Sequence, residues 1–176
     1  QHDGIHTFYL DKGARVQYVE KHYGCGAGDG GRIMNPQTVV EIGEDGYMEM
    51  ETVQIKGIDS TRRVTKATLQ KNATFVVTER LMTHGQQNAV SEFEVMLAGE
   101  NSGAHVVSRA VAREQSAQQF ISRIYGEAPC SGHTECDAII MDDAKISAIP
   151  EIKANCPDAS LVHEAAIGKI AGEQII

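Results

Sequence analysis

With 176 residues, 41% of them apolar and 23% charged, the chain is long enough for one domain with its own hydrophobic core, and wholesale disorder is excluded. A formal net charge of -8 and the absence of any basic run exclude a nucleic-acid partner, because an acidic surface repels phosphate backbones. No apolar stretch approaches the ~20 residues that span a bilayer, so no membrane insertion is expected, and four cysteines without a Cys-x-x-Cys pair read as free thiols of a cytoplasmic protein.

The start, Gln1 to Gly4, has the character of neither a signal peptide nor a transit peptide, and it lacks an initiator Met, as a fragment would. Next comes a Gly-rich stretch, His22 to Arg32, reading HYGCGAGDGGR. It lacks the Lys-Ser/Thr of a phosphate-binding loop, so it reads as a long connection between strands. Cys25 lies in it as an incidental, accessible thiol.

From there on, alternation dominates over helical periodicity. Met48 and Met50 alternate with glutamates, and a phase slip is expected before Val53 and Ile55. Phe75 and Val77, then Phe93, Val95 and Leu97, then Phe120, Ser122 and Ile124 continue the pattern. Cys136, Ala138 and Ile140 follow, then Ile146, Ala148 and Ile152. Turn signals separate the runs at Gly43 to Gly46, Lys71-Asn72, Gly85 to Asn88, Gly99 to Gly103, Glu127 to Gly132, Asp142-Asp143 and Asn155 to Asp158. Short strands without intervening helices define an all-β domain: a sandwich, a barrel or a solenoid. One-sided apolar strands and the lack of Asn-Gly hairpin turns favour a solenoid, the β-helix.

Candidate chemistry gathers near the C-terminus in Cys130, His133, Cys136, Cys156, His163 and Glu164. Thiolate suits iron, zinc or copper(I), and imidazole and carboxylate can complete such a site. Each also has a plain structural reading. Cys136 would be a small buried hydrophobe, and His163 a satisfied core or surface residue. Cys130 and His133 are expected in a shared loop around Gly132, and Cys156 in a turn before Pro157. No Gly-x-Ser-x-Gly or His-Glu-x-x-His motif occurs. Adjacent Asp142 and Asp143 would face opposite sides of a strand, so they make no glycosidase pair. An enzyme is therefore not expected. A structural zinc site and a carbohydrate-active β-helix are the alternatives, the latter disfavoured by only 5% aromatics.

The stretch from Gly132 to Ile176 resembles the C-terminal core of the SufB/SufD family. The resemblance is carried by Cys136-Asp137-Ala138-Ile139-Ile140, Ile149-Pro150-Glu151-Ile152, His163-Glu164-Ala165-Ala166, Ile167-Gly168-Lys169-Ile170 and Glu173-Gln174-Ile175-Ile176. It implies a right-handed parallel β-helix core over residues 1–172 and the start of a C-terminal helix at 173–176, with further terminal helices expected after Ile176. It also implies a scaffold of the SUF system that assembles a transient iron–sulfur cluster at a subunit interface. The implied partners are a SufC-type ATPase, a second subunit in a homodimer or a SufB/SufD-type heterodimer, and apo iron–sulfur proteins. By the same resemblance Cys136, His163 and Glu164 are the metal-site residues. Two departures point to a SufD-like partner subunit as the alternative. Val162 stands where SufB proteins have a carboxylate, and no match exists for their upstream sulfur-accepting cysteine.

Overall fold

The computed structural model describes residues 1–24 and 31–171. Within them the chain forms β1 (Ile5–Leu10), β2 (Arg15–Tyr23), β3 (Ile33–Met34), β4 (Gln37–Ile42), β5 (Tyr47–Lys56), β6 (Ser60–Leu69) and β7 (Thr74–Thr83). It continues with β8 (Asn88–Leu97), β9 (Ser102–Ala112), β10 (Ala117–Gly126), β11 (Cys130–Met141), β12 (Lys145–Ala154) and β13 (Ala159–Ile170). The expected helix start at 173–176, and Cys25 in the Gly-rich stretch, lie outside the described residues.

Strands fall alternately into two sheets. One runs β1-β4-β6-β8-β10-β12, with β3 also beside β6; the other runs β13-β11-β9-β7-β5-β2. All strand pairs are parallel, and each strand lies beside its counterpart one coil later. Ser60 sits beside Asn88, Asn88 beside Ala117, and Ala117 beside Lys145. The chain is thus a parallel β-helix with two long faces, and each coil satisfies the backbone groups of the next.

Tight turns make the coils possible. At one end Asp45, Asn72 and Asn101 adopt left-handed backbone conformations with φ of 60°, 57° and 58°. Asn and Asp tolerate that region better than most residues. These side chains also stack: Asn101 Nδ2 donates to Asn72 Oδ1 at 2.8 Å, and Asn72 Nδ2 donates to Asp45 Oδ1 at 3.0 Å. At the other end Gly85, Glu114 and Asp142 take the same conformation. Turn stacking leaves no room at Gly99, where a Cβ would stand 2.0 Å from the Lys71 backbone nitrogen. Gly99→Ala is expected to cost about 1–3 kcal/mol, as overpacking does. A thermal melt beside the parent chain checks this, and an unchanged midpoint would contradict the close stacking.

Inside, the two sheets share a core led by Phe75, Phe93, Met48, Met50, Leu69 and Leu97. This apolar band lies toward the Asp45–Asn72–Asn101 turns. Further from those turns the inner face becomes polar, with Thr52, Gln54, Arg63, Glu79, Ser91 and Ser108 all buried. The phase slip expected in β5 does not occur. Thr52 and Gln54 keep the inward phase set by Met48 and Met50; Val53 between them is also buried, and Ile55 is exposed. Most of these polar residues find partners there: Gln54 Nε2 donates to Thr61 Oγ1 at 2.9 Å, whereas Thr52 Oγ1 is buried without a partner.

β12 and β13 form the last described coil. Ile152 and Ile167, on its inward phase, are 42% and 40% exposed. Pro150 fits in β12 because among the described residues that strand pairs only with β10, and an edge strand needs no donor on its free side.

Candidate functional site

β11 and β13 lie side by side with Thr134 opposite His163, Glu135 opposite Glu164, and Cys136 opposite Ala165. Alternation along a strand then decides which residues share a face. Cys136, Thr134 and His163 turn inward, whereas His133, Glu135 and Glu164 turn outward. Two of the three residues named from the sequence, Cys136 and His163, are therefore diagonal neighbours on the inner face. Glu164 lies on the other side of the same strand.

On the inner face Cys136 is 1% exposed. Ser108 of β9 stands next to it in the sheet. A cavity of about 10 Å³, room for roughly one water, is lined by Cys136, Ser108, Glu79 and Gln118 among others. The Glu79 carboxylate accepts hydrogen bonds from Ser91 Oγ at 2.6 Å and Ser108 Oγ at 2.8 Å. Burial, with help from the charges of Glu79 and Asp137, pushes the Cys136 thiol up to about 11. At neutral pH it holds its proton, and a bound metal would have to displace that proton to make a thiolate ligand.

His163 is partly buried, and its Nδ1 shares a 2.6 Å hydrogen bond with Thr134 Oγ1. Burial and the neighbouring His133 push its imidazole below the ordinary value. It is neutral at physiological pH, the form that ligates metals. Thr134 in turn receives a 3.4 Å hydrogen bond from Ser122 Oγ. The Ser122–Thr134–His163 chain fixes the ring as a supporting hydrogen bond fixes a ligand. On the outer face Glu135 hydrogen-bonds Asp137 and raises the carboxyl of Asp137 above the usual range.

The remaining cysteines sit apart. Cys130 and His133 are not in a loop: β11 already begins at Cys130, because the turn before it ends at Pro129 and the coil register resumes there. Cys130 is buried and Cys156 lies in the turn before β13, half-buried; with Cys136 they are free thiols. Among the described cysteines Cys156 is expected to react first with iodoacetamide at pH 7, with Cys130 and Cys136 protected until the chain unfolds. Peptide mapping by mass spectrometry checks the order, and rapid labelling of Cys136 in the folded chain would contradict its burial.

Sequence reasoning missed Thr134, Ser108 and Glu79 as the surroundings of the site. The coil register would have found two of them, since Glu79, Ser108 and Cys136 are neighbours on successive coils.

A buried thiol and a neutral imidazole on one inner face of a β-helix are soft and nitrogen donors of the kind that can ligate a metal. A family model described as "SUF system FeS cluster assembly, SufBD core domain" matches residues 1–176. The chain belongs to this SufBD family. It is 30% identical over 179 residues to an iron-sulfur cluster assembly SufBD family protein of Methanothermobacter thermautotrophicus, covering 99% of this chain and 42% of that protein. A protein of the same description from Archaeoglobus fulgidus is 30% identical over 178 residues, covering 99% and 46%. One from Methanocaldococcus jannaschii is 30% identical over 168 residues, covering 94% and 52%. The chain spans about half the length of these relatives. Among the described residues no helix is long and apolar enough to cross a membrane.

Proposed function

We propose that this chain is the β-helical core of a scaffold on which a nascent iron–sulfur cluster is assembled as cargo and then released, with no catalysis of its own. The observation that carries this reading is the placement of Cys136 and His163 on one inner face, in a chain that belongs to the SufBD family. One thiolate with one imidazole is a weaker hold than four thiolates, which suits a cluster that must leave. Glu164 lies on the opposite face of the strand and is not part of this pair.

The exposed inward-phase residues Ile152 and Ile167 suit burial against a second subunit, as a homodimer or beside a SufB/SufD-type partner. A SufC-type ATPase would supply the motion that opens such an interface, in the cytoplasm where thiols stay reduced. Incubation of the cluster-loaded chain with an apo iron–sulfur protein tests the role. Transfer faster than from free iron and sulfide at equal concentration is expected; no acceleration would overturn it.

A second reading has one observation in its favour: the Cys136 thiol is buried and protonated as it stands. In that reading the chain is a SufD-like subunit that pairs and docks the ATPase while holding no cluster. A chain that dimerises but takes up no cluster would support it.

A further inference from the structure

On the outer face of the same strands lies a second group of donors that neither Cys136 nor His163 touches. His105 of β9 and His133 of β11 are directly opposite each other in the parallel register. Their rings stack with centroids 4.7 Å apart and planes 13° from parallel, as strand spacing dictates for two histidines on one face. Glu135 follows two residues after His133 on the same face, and one donor atom from each of His105, His133 and Glu135 lies within 4.8 Å of the others. The Glu164 carboxylate arrives from β13, opposite Glu135.

Two details separate this group from an ordinary ion-pair cluster. First, His133 Nε2 is buried with no hydrogen-bond partner. It stands 3.5 Å from Glu135 Oε2 and 3.6 Å from Glu164 Oε2. Those gaps exceed the 2.7–3.2 Å of a good N–H···O bond. They equal the edge of a tetrahedron around an ion: bonds of about 2.0–2.2 Å separate neighbouring ligands by about 3.3–3.6 Å. Second, among the described residues no Lys or Arg bridges Glu135 or Glu164, whose ion pairs are with His133. Two carboxylates side by side favour a cation between them.

We infer that His105, His133 and Glu135, with Glu164 as a fourth donor, bind one divalent transition-metal ion on the outer face of the β-helix, and that ferrous iron is that ion. Two imidazoles with carboxylate oxygens suit first-row divalent metals, ferrous iron among them, whereas calcium and magnesium favour all-oxygen sites. The ligand set follows from the geometry alone. The choice of iron rests on the assembly role proposed above, in which this site would hold the iron substrate apart from the thiol.

Anaerobic equilibrium dialysis of the purified chain against Fe²⁺, and separately against Co²⁺, tests the site, with bound metal counted per chain. One ion per chain is expected in the parent and in Cys136→Ser. The affinity should fall about 100-fold in a His105→Gln/His133→Gln double variant and at least about 10-fold in Glu135→Gln. Circular dichroism of each variant should match the parent, since these side chains lie outside the core. Binding that survives the double histidine variant, or that vanishes in Cys136→Ser, would overturn the site. A site that takes Co²⁺ but not Fe²⁺ would overturn the assignment of iron. Tight Fe²⁺ binding by a chain that never builds a cluster would sustain the site while the scaffold role failed.

Discussion

Glu20→Gln is expected to lower the unfolding free energy by about 3–5 kcal/mol, the usual cost of removing one partner from a buried ion pair. Arg63 is 3% exposed and Glu20 7%. Arg63 Nη1 donates to Glu20 Oε2 at 2.6 Å, while Arg63 Nη2 is buried without a partner. Glutamine keeps the shape and takes away the charge, leaving a guanidinium inside the β-helix with nothing to neutralise it. Burial alone would raise the Glu20 carboxyl. The hydrogen bond with His22 and the charge of Arg63 outweigh burial and hold it at about 2. A carboxyl held low contributes stability above its ordinary value near 4.5, and that contribution is lost as pH falls through 2. Urea unfolding of both proteins should therefore show the full gap at pH 7 and a narrowing gap as the pH drops toward 2. A gap below about 1 kcal/mol at pH 7, the range of exposed pairs, would contradict the burial of this pair.

His163→Ala and Glu164→Gln should separate sharply, although the two residues are adjacent in sequence. His163 faces inward with Cys136, and Thr134 holds its ring. Its removal is expected to lower the acid-labile sulfide retained after cluster reconstitution and desalting by about 10-fold or more, with the fold intact. Glu164 faces outward and is exposed. Its substitution is expected to change retention by less than about threefold, within the reach of an indirect effect. Acid-labile sulfide counts on the desalted proteins give the comparison, since they report the cluster and not iron held at the outer face. Equal losses in both variants would contradict the assignment of the two residues to separate faces.

Much of the fold was legible because alternation and turn chemistry are local. The inward phases of Phe75, Phe93 and Phe120 follow from period two alone, and the turns at Asn72, Asn101 and Asp142 carry residues that accept left-handed backbone. The phase slip assigned at Val53 failed for a physical reason. It assumed an apolar interior, whereas the coil interior also takes Thr52 and Gln54, the latter donating to Thr61. The coil length was also present in the spacing of the turns at Gly43, Lys71, Gly99, Glu127 and Asn155, which mark one end of successive coils. Without that register Cys136 and His163 could be named only through family resemblance, and no local pattern places Glu164 on the opposite face. The stacked pair His105 and His133 was equally hidden, since residues one coil apart meet only when the register is known.

The most direct measurement is the visible absorbance of the chain reconstituted anaerobically with ferrous iron and sulfide, beside Cys136→Ser treated identically. A sulfur-to-iron charge-transfer spectrum in the parent that is lost in Cys136→Ser, with iron still bound at the outer-face histidines, is the expected result. The same spectrum at the same intensity in both proteins would contradict a cluster held by Cys136.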